Sequence, residues 1–163
     1  AVWDGAVDGL ELAKLLLEKG ANVNTAGADI YDSPLESTPL WYAAMAVSDG
    51  LSCGLELAKL LLEKGADVNA VGKYLDRREY ENVCDGTALY WAARAVCEQD
   101  SAGGLELVTL LLEKGVKDVN FVRSDKYQYR FTPLNWAAKA VCDGKASGLV
   151  LAGLLLEKGA DVN

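Results

Sequence analysis

The sequence predicts an all-α fold: helix–loop–helix repeats stacked side by side into a solenoid. Three observations predict it. A block reading Gly-Leu-Glu-Leu-Ala-Lys-Leu-Leu-Leu-Glu-Lys-Gly runs from Gly9 to Gly20 and returns at Gly54 to Gly65. It recurs at Gly104 to Gly115 with Val108 and Thr109 substituted, and at Gly148 to Gly159 with Val150 and Gly153 substituted. A second block, Thr-Pro-Leu-Trp-Tyr-Ala-Ala at Thr38 to Ala44, has counterparts at Thr87 to Ala93 and Thr132 to Ala138. Within the first block the apolar residues recur at helical spacing; Leu55, Leu57, Ala58, Leu61 and Leu62 alternate with charged Glu56, Lys59 and Glu63. That is one apolar stripe and one exposed side, not a strand.

The elements follow in order. Ala1-Val2-Trp3-Asp4-Gly5 aligns with Ala140 to Gly144, so the chain opens inside a helix of the second-block type and reads as a fragment of something longer. The outer helix of a partial repeat (residues 1–24) follows, then repeats over about 25–69, 70–120 and 121–163, all in one domain. Each inner helix starts at a threonine, which caps free backbone N–H groups, and Pro39 and Pro133 suit the first helical position. Small residues after it (Ala44 to Val47, Ala93 to Val96, Ala138 to Val141) let a neighbouring helix come close. Asp-Gly at 4–5, 49–50 and 143–144 marks a turn, so a lengthened inner helix followed by a longer loop is expected. Gly65 and its counterparts sit where an outer helix ends in a left-handed residue. The apolar faces of one such pair of helices cannot be covered internally. Stacking covers them, at roughly 1.5–3 kcal/mol per Leu-sized side chain.

Thr-Pro-Leu-x-x-Ala-Ala, together with Leu-Leu-Leu-Glu-Lys-Gly-Ala-Asp-Val-Asn, resembles the ankyrin repeat family over nearly the whole chain. The resemblance implies L-shaped units in a curved solenoid, with hairpin-like fingers projecting from one edge. The family period is about 33 residues, whereas Leu15, Leu60, Leu110 and Leu154 open the triple-leucine runs here, at longer spacings. The extra length falls between the helices and in the fingers, Thr25 to Ser37, Ala70 to Gly86 and Phe121 to Phe131. The inner-helix position that the family usually gives to a histidine holds Trp41, Tyr90 and Asn135, which implies aromatic packing in place of a histidine network. Tyr42, Trp91 and Trp136, next in sequence, are expected in the core; Trp41 and Tyr90 are divided between the core and a concave groove.

The fingers differ in length and sequence and hold five of the seven tyrosines (Tyr31, Tyr74, Tyr80, Tyr127 and Tyr129). They also hold Arg77, Arg78, Arg123 and Arg130. Tyrosine and arginine are the residues of binding hot spots, offering large contact area with a polar end, and variable loops on a rigid scaffold are where function sits. The competing structural reading has the same side chains stacking across hairpin strands. Candidate partner-binding residues are therefore these nine, with Trp41 and Tyr90. In the last outer helix Val150 and Gly153 replace the charges found at Glu56 and Lys59; this pair is a candidate contact patch, including for self-association of the chain.

Bulk properties bound the function. A formal net charge of -8 and a pI near 4.6 argue against a nucleic-acid surface and against docking on an anionic membrane. No apolar run is long enough to span a bilayer. The chain has no histidine, and Cys53, Cys84, Cys97 and Cys142 have no C-x-x-C spacing, which points away from zinc and toward reduced thiols in an intracellular, cytoplasmic protein. Cys97 and Cys142 occupy matching positions and read as interchangeable packing residues, while Cys84, in a finger, reads as the reactive thiol. No triad and no phosphate-cradling glycine loop is present, so neither an enzyme nor a cofactor is expected. The reading is a scaffold for a protein or peptide partner. The alternatives are an architectural spacer inside a larger multidomain protein, such as a channel or a host-directed effector, and an engineered repeat array.

Overall fold

The structure, a computed structural model, describes residues 6–28, 36–76, 82–124 and 130–163. The inner-helix end and turn expected at residues 1–5 lie outside them. The described elements alternate between helical pairs and short hairpins. α1 (Ala6–Glu18) is an outer helix. β1 (Gly27–Ala28) and β2 (Glu36–Ser37) lead into α2 (Pro39–Ser48) and α3 (Cys53–Glu63). β3 (Val71–Asp76) and β4 (Asn82–Thr87) lead into α4 (Ala88–Gln99) and α5 (Ala102–Glu113). β5 (Arg123–Ser124) and β6 (Arg130–Phe131) lead into α6 (Pro133–Cys142) and α7 (Ala146–Glu157). The fold is the expected all-α repeat stack with two-stranded fingers.

The threonine signals hold. Thr38, Thr87 and Thr132 adopt extended backbone, and each hydroxyl accepts from the amide three residues on, that of Trp41, Tyr90 or Asn135. Thr132 and Asn135 complete a reciprocal capping box. The connection between inner and outer helices is shorter than expected. Only residues 49–52, 100–101 and 143–145 lie between them, because the additional residues prolong the helices themselves. Asp100 takes the left-handed conformation (φ 47°) that glycine supplies at Gly50 and Gly144, and its carboxylate accepts a 2.5 Å bond from Ser147 of the next repeat. Aspartate is among the few residues that tolerate this region.

Inner and outer helices of a repeat touch through a glycine. A β-carbon at Gly54 would fall 2.7 Å from the Val47 amide nitrogen, at Gly104 2.9 Å from that of Val96, and at Gly148 2.7 Å from that of Val141. Around these contacts lies one apolar core, with Leu89, Trp91, Leu107, Leu111, Leu151 and Leu155 among its fully buried side chains.

The tail after each outer helix is a device that joins repeats. In Ala-Asp-Val-Asn the aspartate carboxylate accepts from the asparagine amide two residues on (Asp67 from Asn69, Asp118 from Asn120, Asp161 from Asn163, each at 2.9 Å), folding the turn. Val68 and Val119 point into the core. The asparagine then crosses to the next repeat: the Asn24 side-chain oxygen accepts from the Asp67 amide at 2.7 Å, that of Asn69 from Lys117 at 2.8 Å, and that of Asn120 from Asp161 at 2.7 Å. The Asn24 and Asn120 side-chain amides also donate to the carbonyls of Gly65 and Gly159.

Candidate functional site

The three hairpins are antiparallel. Gly27 pairs with Ser37, Val71 through Asp76 pair with Thr87 through Asn82, and Arg123 pairs with Phe131. Each hairpin runs directly into a capping threonine, so its base is fixed to the start of an inner helix. What fixes it sideways is a set of contacts between neighbouring repeats. The Ser37 hydroxyl donates to the Lys73 carbonyl and accepts from the Lys73 amide, both at 3.0 Å, so one side chain satisfies both backbone groups of a residue on the outer edge of β3. A covered edge is an edge that cannot pair with a foreign strand.

Trp41 reaches across to the same finger, donating from Nε1 to the Gly86 carbonyl at 2.9 Å. Gly72 and Gly86 are paired in the hairpin, and indole rings close on both. A β-carbon at Gly72 would stand 2.5 Å from Trp41 Cγ; one at Gly86 would stand 2.9 Å from Trp91 Nε1. The glycine pair therefore makes the room into which the two tryptophans pack. Finger three is pinned by Arg123. Its guanidinium lies 5.6 Å from the Tyr90 ring centroid and 5.4 Å from that of Trp91. Arg123 Nη1 also donates to the Tyr90 hydroxyl at 3.3 Å. Cation–ring contacts of this kind gain strength as they leave water.

The rings form a continuous ladder through the inner helices. Tyr42 meets Trp41 (5.2 Å between centroids), Trp41 meets Trp91 (5.6 Å), Trp91 meets Tyr90 (5.4 Å), Tyr90 meets Trp136 (6.0 Å), and Trp136 stacks on Phe131 (5.2 Å). All but the last are edge-to-face, the arrangement favoured by the ring quadrupole. Aromatic packing thus runs through the row that lacks histidine.

These placements revise several expectations. Trp41 and Tyr90 are each only 1% exposed; they are core residues that hold fingers and present no ring to a groove, because each packs against the finger of the following repeat. Trp91 and Trp136 are buried as expected, but Tyr42 is 36% exposed. Of the finger candidates, Arg123 is placed as a pin at the finger base. Tyr31, Arg77, Arg78, Tyr80, Tyr127 and Tyr129 lie outside the described residues, as do the side chains of Tyr74 and Arg130, whose backbones belong to β3 and β6. Cys97 is buried and Cys142 exposed; Cys97 lies on α4, which packs between α2 and α6, whereas among the described residues no further inner helix packs on α6. Ser37, Gly72 and Gly86 were not singled out in the sequence. Ser37 and Gly86 stand immediately before a capping threonine, the signal that could have found them; Gly72 is marked only by its pairing with Gly86.

At the end of the stack Val150 is 54% exposed, and a β-carbon at Gly153 would meet nothing within 4 Å. The structure adds Leu149 and Leu156 to this surface, 66% and 47% exposed.

Charges are paired along the helices. Lys59 bridges Glu56 on its own helix (2.9 Å) and Glu106 on α5 (2.8 Å), and these bonds raise its pKa. Arg94 pairs with Glu98 at 2.8 Å while lying 5.3 Å from the Trp91 ring centroid. Lys139 holds Asp143 at 2.8 Å, which lowers the carboxyl pKa. Burial pushes the Cys97 thiol up, so it stays protonated and inert. Among the described residues no group of three or more histidine, cysteine or acidic side chains could hold a metal ion, and no helix is long and apolar enough to cross a membrane.

The ankyrin repeat family model matches residues 36–73, from β2 through α2 and α3 into β3. Among curated proteins no sequence matches the chain. The matched segment is an ankyrin repeat; the pairs α4–α5 and α6–α7 repeat its threonine caps and glycine contact, and Asn120 after α5 repeats its asparagine crossing.

Proposed function

We propose that this chain of ankyrin repeats is a protein-interaction scaffold that grips a protein or peptide through its fingers. Ankyrin repeats mediate protein–protein interaction as a class. The observation that supports the finer reading is the way the finger bases are held. Ser37, Trp41, Gly72, Gly86 and Arg123 fasten finger bases to adjacent repeats, so segments of unlike sequence are joined to bases of fixed spacing. Prior ordering of a loop lowers what binding must spend on it. With Trp41 and Tyr90 in the core, the gripping residues in this reading are Tyr31, Tyr74, Arg77, Arg78, Tyr80, Tyr127, Tyr129 and Arg130.

The test is to select peptide ligands from a display library on the whole chain, then measure their affinity for Tyr74→Ala, Arg77→Ala, Arg78→Ala and Tyr129→Ala variants. Affinity falls by about tenfold or more in at least two of them, with helicity by circular dichroism retained. Unchanged affinity across all four rejects the fingers as the gripping surface.

A second reading, an architectural segment, has one observation in its favour. Leu16 in α1 and Leu156 in α7 are 51% and 47% exposed, at positions where α3 and α5 bury Leu61, Leu111, Leu62 and Leu112. Self-association through α7 belongs to this reading. Partner binding that survives deletion of the whole segment supports it.

A further inference from the structure

The inner helices carry a ring, a side chain one turn on and a carboxylate one turn further, all on one helix face. In α4 these are Trp91, Arg94 and Glu98. The Arg94 guanidinium lies over the Trp91 ring, 5.3 Å from its centroid, and pairs with Glu98 at 2.8 Å. A second guanidinium, that of Arg123 on the following finger, stands 5.4 Å from the same ring centroid. In α6 the pair is Lys139 with Asp143, also at 2.8 Å.

α2 keeps the ring and the carboxylate but not the cations. Tyr42, Met45 and Asp49 hold the places of Trp91, Arg94 and Glu98, and Gly72 holds the place of Arg123. Both guanidiniums that cover Trp91 come from its own helix and from the finger after it, so the difference lies in Met45 and Gly72 themselves. Met45 brings a partly buried apolar side chain, and Gly72 brings none. The Tyr42 ring is 36% exposed where Trp91 is fully buried. Asp49 is exposed at the C-terminal cap of α2, and among the described residues no cation pairs with it. A carboxylate at the negative end of a helix dipole does not serve the helix.

We propose that this corner of α2 receives an arginine side chain of the protein or peptide partner. Its guanidinium lies against the Tyr42 ring and on the Asp49 carboxylate, and its methylene stem runs along Met45. This rests on the scaffold reading above, though not on the fingers. The chemistry of the occupant is set by α4, where the chain itself places an arginine between the corresponding ring and carboxylate. A planar guanidinium stacks on a ring and offers a carboxylate two N–H groups at once, which an ammonium does not. Methionine adapts its rotamers to an aliphatic neighbour, and a net charge of -8 attracts a cationic partner.

The test titrates Nα-acetyl-arginine amide into the isotope-labelled whole chain, read by NMR. Shift changes saturate at roughly millimolar probe and centre on Tyr42, the Met45 methyl and Asp49. Nα-acetyl-citrulline amide, a neutral isostere, produces none. Asp49→Asn, at an exposed position, keeps native circular dichroism and weakens arginine binding by about threefold or more. Met45→Arg rebuilds the α4 arrangement from within and abolishes the response. Diffuse shifts of equal size with arginine and Nα-acetyl-lysine amide mean attraction to an acidic surface only, and overturn the proposal. An arginine response that survives both substitutions overturns it as well. The four finger variants keep the wild-type arginine response. If that response is absent while those variants lose their selected peptides, the arginine site falls and the gripping fingers stand; if it is present while they lose nothing, the site stands and the fingers fall.

Discussion

Substituting alanine for Gly72 tests the packing of tryptophan against the finger base. Gly72 is not in the left-handed region, so alanine can adopt its backbone, and by chain entropy alone the change would stabilise the protein by about 0.4–1 kcal/mol. The added methyl instead lands 2.5 Å from Trp41 Cγ, 2.6 Å from Cδ1 and 2.7 Å from the Ser37 hydroxyl. Carbon atoms prefer about 3.5–4.0 Å, so the overlap is roughly an ångström. Trp41 has little room to yield, because its Nε1 is bonded to the Gly86 carbonyl and its ring is braced by Tyr42 and Trp91. Overpacking of this kind costs about 1–3 kcal/mol, and displacing Ser37 weakens two bonds to Lys73 worth about 0.5–1.5 kcal/mol each. The net expectation is a loss of about 1–4 kcal/mol, or a fall in Tm of about 2–4 °C for each kcal/mol in a chain of this size. Thermal melts followed by circular dichroism measure it, with Gly153→Ala as the control, since nothing lies within 4 Å of that position. Exposed helical alanine stabilises by about 0.5–1 kcal/mol over glycine. In a Trp41→Leu background most of the Gly72→Ala penalty disappears, a coupling of about 1 kcal/mol or more. A Gly72→Ala protein as stable as the wild type, or no coupling to position 41, refutes the packing argument.

Other expectations follow from the crossings and the thiols. Asn120→Ala removes the acceptor for the Asp161 amide and the donor to the Gly159 carbonyl; the tail beyond α7 loses hydrogen-exchange protection while α2 to α5 keep theirs, and stability falls by about 1–2 kcal/mol. Asp143 has a lowered pKa because Lys139 bonds its charged form. The pair therefore contributes above the ordinary aspartate value and is lost as pH falls through the lowered one. Lys139→Met returns the Asp143 titration, read by NMR, to the ordinary range. In the folded protein an alkylating reagent modifies the exposed Cys142 and spares the buried Cys97; equal rates by mass spectrometry contradict the burial.

Much of the stack was legible because its signals are local and repeated. Threonine before an apolar run, glycine after it, and leucine at helical spacing each act within a few residues, and each was present several times. The length of the inter-helix connection was misjudged because Asp-Gly reads as a turn wherever it stands, while the residues after it had helical partners that only packing supplies. Trp41 and Tyr90 were divided between core and groove for a similar reason. Helical phase sets the direction of a side chain, but what lies in that direction was a finger about 45 residues away for Trp41, whose indole bonds Gly86. Ser37, Gly72 and Gly86 carry meaning only once three segments have come together. The asparagines in Asp-Val-Asn were visible as a recurring tail, yet their bonds run to the next repeat, beyond any local pattern.

The glycine pair at the base of the second finger has a consequence for how such a protein can change. Among the described residues, those at positions 72, 73 and 86 carry the bonds and ring contacts with the repeat before, so an exchange further out leaves these in place. Lengthening a tip costs only loop-closure entropy, about 0.6 kcal/mol for each doubling. The finger works as a socket with a replaceable bit: a graft of foreign sequence between Tyr74 and Cys84 inherits a seat already in place, and new specificity can be tried at little risk to the fold.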